Sequence, residues 1–186
     1  GVTTYNALRN ADLQPGDLVA VQGIGGLGHL GVQYAHAAGY ETVAVSRSPD
    51  KEPLATDLGA DHFVDASETD PAAALQALGG ADAVLATAPS SKAIASVVGG
   101  IGADGSVIVV GVPGESVAVD AQHLIGTAGA VEGWGSGDAR DSQATLEFSS
   151  LRAVTPEVER FSLDDVEAAY DRMIENEARF RVVLEP

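Results

Sequence analysis

Apolar runs of strand length recur along the chain, and between them lie alanine-rich stretches whose apolar positions fall at helical spacing. That alternation predicts βαβ units and a parallel sheet. Residues 17–22 read as the first strand, and 26–38, with apolar Leu27, Leu30, Val32, Tyr34 and Ala35, as the first helix. Residues 41–45 follow as strand two, 53–58 as a helix for which Asp50 is the expected N-cap, and 62–65 as a short third strand. Pro71 suits the first turn of a helix over 71–78, and 83–86 reads as strand four. The second half repeats the plan: a helix over 90–98, a buried strand over 106–110 and a sixth strand over 128–131. Two further helices, 136–151 and 163–174, and a closing strand over 181–184 complete the expected elements.

Composition narrows what such a domain does. A chain of 186 residues suits one α/β domain, expected to span residues 1–186. No apolar run reaches the roughly 18 to 20 residues of a membrane span, and the first residues, Gly1 to Tyr5, have neither the basic start nor the apolar run of a secretory signal. No membrane partner and a cytoplasmic location are therefore expected. Cysteine is absent, which removes disulfides, thiolate nucleophiles and cysteine-containing zinc sites from these residues. The net charge of −17 arises from 27 acidic and 10 basic residues, of which Lys51 and Lys92 are the only lysines. Such a surface repels nucleic acid phosphates, so no nucleic acid partner is expected. The acidic residues are scattered, as on a halophilic protein whose self-repulsion salt screens, with an ordinary acidic surface as the alternative. His29 and His36 stand seven positions apart, about two helical turns, and His62 and His123 are isolated, so packing or surface roles are expected and no metal site.

The sharpest motif is Gly23-Ile24-Gly25-Gly26-Leu27-Gly28, a G-x-G-x-x-G between an apolar strand and an amphipathic helix. Glycines let the backbone approach a pyrophosphate, whose charge is met by the N–H groups and positive end of the helix. With six strands in two halves, the expected fold is α/β, a Rossmann doubly wound six-stranded parallel sheet with helices on both faces. About 20 residues beyond the glycines, where NAD sites place a carboxylate for the ribose, this chain has Ser46-Arg47-Ser48-Pro49-Asp50-Lys51. Without the carboxylate there is less repulsion of a 2′-phosphate, and the Arg47 guanidinium supplies a permanently charged donor. Ser46, Arg47, Ser48 and Lys51 are therefore candidate NADP contacts, with NAD as the alternative.

Residues 1–8 (GVTTYNAL), 22–37 and 109–113 (VVGVP) resemble the medium-chain, zinc-dependent alcohol dehydrogenases, and the resemblance runs the length of the chain. It implies that Thr3 lies near the nicotinamide, that Leu27 packs behind it, and that the backbone of Val110, Gly111 and Val112 meets the carboxamide. The terminal segment 179–184 is similar to the family's last strand, which implies a phosphate contact from Arg181. In that family GVTTYNAL follows a cysteine ligand of the catalytic zinc. The resemblance therefore implies that the zinc domain and the catalytic residues are absent from this chain, which alone would bind cofactor without turning over alcohol. Its implied partners are that missing catalytic domain and a second copy, in a homodimer or higher homo-oligomer formed near Val131. Trp134, in a glycine-rich loop, is expected near the substrate side or an oligomer contact.

The parent enzyme would transfer hydride between an alcohol or aldehyde and NADP. A zinc-free quinone or enoyl reductase of the same superfamily and a non-catalytic NADP-binding module are the alternatives. A methyltransferase would want an acidic residue where Ser46 stands.

Overall fold

The apolar runs form the sheet they predict. Six parallel strands, β1 (Leu18–Gln22), β2 (Glu41–Ser46), β3 (His62–Asp65), β4 (Ala81–Ala86), β5 (Ile101–Val109) and β6 (Ala130–Gly133), lie in the order β3-β2-β1-β4-β5-β6. The chain winds outward from β1 to β3 and then crosses back to lay β4 against β1, which makes the junction of β1 and β4 the topological switch point. Every residue of β1 is buried, as a central parallel strand covered on both faces must be. This is the doubly wound Rossmann architecture.

The computed structural model describes residues 1–175 and 177–186, which divide into two compact units, Gly1–Val154 and Thr155–Pro186. In the first unit the helices are α1 (Val2–Asn10), α2 (Gly28–Ala38), α3 (Glu52–Asp57), α4 (Pro71–Ala77), α5 (Ser91–Val98), α6 (Ala121–Thr127) and α7 (Ala139–Arg152). On one face of the sheet Leu75 of α4 and Ile94, Val97 and Val98 of α5 close over Leu18, Ala20, Val43, Val45, Val84 and Ala86. Burying each such side chain contributes about 1.5–3 kcal/mol. On the other face α2 lies so close to the strands that a Cβ on Gly31 would come within 3.0 Å of Leu85 and 3.2 Å of Val21. Beyond it Tyr5 of α1, Tyr34 of α2 and Phe148 of α7 stack together, ring centroids 4.9 to 6.1 Å apart.

Several element boundaries differ from the sequence pattern. Asp50 is not an N-cap: it lies inside a 3-10 turn, Pro49–Lys51, and α3 starts after Lys51 with no side-chain cap. Pro49 and Pro53 each preset the helical φ, so the turn forms without one. The first helix begins at Gly28, leaving 26 and 27 in the glycine turn, and β5 starts at Ile101, ahead of a register shift opposite Ala81 and Ala83. The sixth strand lies two residues later than expected, because α6 runs to Thr127 and ends in a left-handed Ala128. In the second unit β7 (Val158–Ser162) and β8 (Arg181–Glu185) pair in parallel as a separate two-stranded sheet joined through a 3-10 turn, Leu163–Asp165, and α8 (Val166–Ile174). Within it Glu159 binds Arg172, whose guanidinium also reaches Glu177 at 3.3 Å.

At the start of α7, the Asp138 side chain accepts from the Arg140 and Asp141 N–H groups, while Asp141 accepts from the Asp138 N–H at 3.0 Å. That reciprocal cap and the Arg9 guanidinium, 2.7 Å away, hold the Asp141 carboxyl below its ordinary value of 3.8. A depressed carboxylate contributes stability that is full above that ordinary value and is lost as pH falls through the lower folded value. Asp141→Asn is therefore expected to melt a few degrees lower at neutral pH, with the gap closing in acid, as thermal melts across pH will read.

Candidate functional site

The G-x-G-x-x-G turn sits where the winding reverses, at the C-terminal ends of β1 and β4, and its glycines are there for different reasons. Gly23 has φ +91°, in the left-handed region, and a Cβ on it would come within 3.0 Å of Ala88. A Cβ on Gly28 would lie 1.7 Å from the Gly23 carbonyl oxygen, so the loop closes on itself only with glycine there. Gly25 is the opposite case: a Cβ would meet nothing within 4 Å, so the space it leaves is on the open side of the loop.

Three consecutive loop carbonyls are each tied by a side-chain donor from a different element. The Thr87 hydroxyl, after β4, lies 2.8 Å from the Gly23 oxygen and 3.0 Å from that of Gln22. The Lys51 ammonium donates to the Ile24 oxygen at 2.8 Å. The His29 Nδ1, on α2, donates to the Gly25 oxygen at 2.7 Å, and the His29 backbone N–H adds a second bond at 3.1 Å. The carbonyls of the turn are thus held by these donors, and no side chain caps the N-terminus of α2. Beside it Gln22 is buried, and its Oε1 has no hydrogen-bond partner among the described residues.

At the end of β2, Ser46 is buried and its Oγ accepts from the Ser48 N–H at 3.1 Å, folding the chain sharply over the sheet edge. Arg47 is exposed, and its guanidinium has neither a hydrogen bond nor an ion pair among the described residues, although acidic residues far outnumber basic ones in the chain. Ser46, Arg47, Ser48 and Lys51 thus gather on the β2 side of the loop. On the β5 side, Val110 and Gly111 both donate to the Ala86 oxygen at 3.0 Å, and a Cβ on Gly111 would lie 2.5 Å from the Thr87 oxygen. Val112, next along, is 85% exposed. Leu27 occupies the N-cap position of α2. Thr3 stands in α1, its hydroxyl donating to Ser136 Oγ at 3.2 Å, which ties it to the loop that carries Trp134. Arg181 opens β8 in the second unit, its N–H bonded to the Glu157 oxygen at 3.1 Å.

Among the described residues no three His, Asp or Glu side chains converge as metal ligands. His62 instead bonds Glu41 at 2.7 Å, and His36 packs against Gly59.

The family model of zinc-binding dehydrogenases matches residues 26–150, more than half of the chain. The chain belongs to the zinc-binding dehydrogenase family. It is 41% identical over 184 residues to alcohol dehydrogenase patD of Penicillium expansum, covering 99% of this chain and 54% of the relative. It is 36% identical to an alcohol dehydrogenase of Geobacillus stearothermophilus, covering 99% of this chain and 55% of that relative. Among solved structures, the alcohol dehydrogenase of the hyperthermophilic archaeon Aeropyrum pernix superposes with TM-score 0.89 at 29% identity, over 100% of this chain and 55% of that one. The Helicobacter pylori CAD complexed with NADP(H) superposes with TM-score 0.80 at 26% identity, over 99% of this chain and 52% of that one. The chain thus spans about half the length of the relatives it matches.

Two side chains at the heart of this zinc-binding dehydrogenase site carry no signal in the sequence pattern. Thr87 looks like any polar residue ending a strand, and only the parallel pairing of Gln22 with Ala86 brings its hydroxyl onto the glycine turn. His29 sits at a buried helical position, where packing is the plain reading, and only the fold shows its ring nitrogen on Gly25. Thr87→Val keeps the shape and removes the donor to both carbonyls. Its expected cost is about 1–3 kcal/mol, read as a lower melting temperature.

Proposed function

We propose that this chain is the cofactor-binding part of an alcohol dehydrogenase that uses NADP in preference to NAD. The observation that carries the reading is the glycine turn itself: its carbonyls are tied back, the space over Gly25 is open, and the helix it opens has no side-chain cap. A dinucleotide pyrophosphate has the charge and size to complete such a turn. The unpaired Arg47 and the absence of a carboxylate at Ser46 favour a 2′-phosphate on the adenosine side, with Ser48 and Lys51 beside it. The name of the Helicobacter pylori relative, a complex with NADP(H), agrees with this choice. When bound, the nicotinamide accepts or gives up a hydride. Thr3, Leu27 and the backbone of Val110, Gly111 and Val112 are the groups proposed to position that ring, and the chain's own task is to bind and orient it.

The alcohol and the zinc that would polarise its oxygen are assigned to the remaining length that the relatives possess and these residues do not include. The test uses the full-length protein: NADP⁺ reduction with simple primary and secondary alcohols, before and after a zinc chelator. Alcohol-dependent reduction lost on chelation and restored by zinc supports the reading, and activity indifferent to the chelator would favour a zinc-free reductase. A homodimer belongs to the same proposal, because β6 is one of the two edge strands of the main sheet and can pair with its copy across a twofold axis. Light scattering on this chain should read twice 18.9 kDa, and a mass of 18.9 kDa would overturn the pairing.

A further inference from the structure

The peptide between Gly25 and Gly26 is flanked on both sides by residues with no Cβ to limit its rotation. It is also the one whose carbonyl takes two bonds from a single residue, the His29 N–H at 3.1 Å and the His29 Nδ1 at 2.7 Å. The imidazole is completely buried within a helix whose inner face packs on the sheet. A packing role would be filled as well by leucine, which suits a helix better and leaves no polar atoms to satisfy. A carbonyl oxygen only accepts, so the Nδ1 must carry the proton, and the ring is fixed in that tautomer. In a planar trans peptide the carbonyl and the following N–H point in opposite directions. Drawing the Gly25 oxygen towards α2 therefore sets the direction of the Gly26 N–H, which turns away from α2, and a Cβ on Gly25 would meet nothing within 4 Å.

We propose that His29 is a positioning residue that orients the Gly25–Gly26 peptide for the cofactor's pyrophosphate, acting through the Gly25 carbonyl and never touching the ligand. This rests on the reading of the glycine turn as a dinucleotide site. Without His29 the plane would be one that binding has to order, and the lost preorganisation would appear as weaker affinity.

The geometry of the two amides gives the test. Asparagine carries its amide nitrogen close to where histidine carries Nδ1, whereas glutamine carries it one bond further out, near Nε2. NADPH binding to this chain is titrated by calorimetry for the wild type, His29→Leu, His29→Asn and His29→Gln, with a thermal melt of each. The expected result is about tenfold weaker binding for the leucine and glutamine variants and an asparagine variant within about threefold of wild type, with melting temperatures that do not track these affinities. Leucine binding as tightly as wild type, or affinities that simply follow the melting temperatures, would overturn the role while leaving the dinucleotide site standing. A wild type that binds no nucleotide would overturn both. Should the leucine variant fail to fold, the asparagine and glutamine pair decides.

Discussion

Gly28→Ala is expected to abolish detectable nucleotide binding and to destabilise the first unit by about 3 kcal/mol. The added carbon would stand 1.7 Å from the Gly23 carbonyl oxygen and 3.0 Å from Thr87 Oγ1, and the first of these is backbone that cannot swing aside. Either α2 shifts along its axis or the turn opens, and opening the turn separates the Gly23 carbonyl from the Thr87 hydroxyl that binds it. Gly25→Ala serves as the control that separates folding from binding. Its methyl group meets nothing within 4 Å, so the melting temperature should hardly move, yet it enters the space assigned to the pyrophosphate. A loss of about tenfold or more in affinity at unchanged stability is the expected signature of close backbone approach to a ligand. Calorimetric titration and thermal melts on the two variants, side by side, check both halves. Equal losses of stability in the two would contradict the division of roles.

Arg47→Ala is expected to cut the preference for NADPH over NADH by about 10- to 100-fold, because charge-assisted hydrogen bonds to a phosphate contribute about 1.5–3 kcal/mol. The side chain is exposed and has no partner among the described residues, so its removal should leave the melting temperature within a degree or so and leave NADH affinity unchanged. Its contribution should fall as salt rises, since an exposed charge is screened. The complementary variant, Ser46→Asp, puts a carboxylate at the buried end of β2, where it would accept from ribose hydroxyls and repel a 2′-phosphate. Titrations of each variant with both nucleotides read the ratio directly. An unchanged ratio in Arg47→Ala would assign the selectivity elsewhere, with Lys51 the nearest remaining cation on that side of the loop.

The six strands were legible because a parallel sheet covered on both faces needs unbroken apolar runs, and residues 18–21, 43–45 and 83–86 are such runs. The glycine turn was legible because its spacing answers to a backbone requirement. What escaped the pattern was structure held by distant partners. The α1 helix contains two threonines and two asparagines, poor helix formers, and owes its shape to Thr4, Asn6, Ala7 and Leu8 being buried in the first unit. α6 has only seven residues, one of them Gly126, and is held at its start by the Asp120 side chain. The strand over 158–162 has no fully buried residue and gains its partner only when residues 181–185 return alongside it. Within the site, the glycines of the turn were readable, whereas Thr87 and His29, which hold that turn in place, became visible only through atoms up to 65 positions apart in sequence.

The central claim is that this glycine turn is built to receive a nicotinamide dinucleotide carrying a 2′-phosphate. Equilibrium titration of the chain with NADPH and with NADH, followed by nicotinamide fluorescence, tests it most directly. The account predicts saturable binding of both, tighter for NADPH, and weakened in Gly25→Ala. Binding of neither nucleotide, or binding indifferent to that alanine, would contradict it.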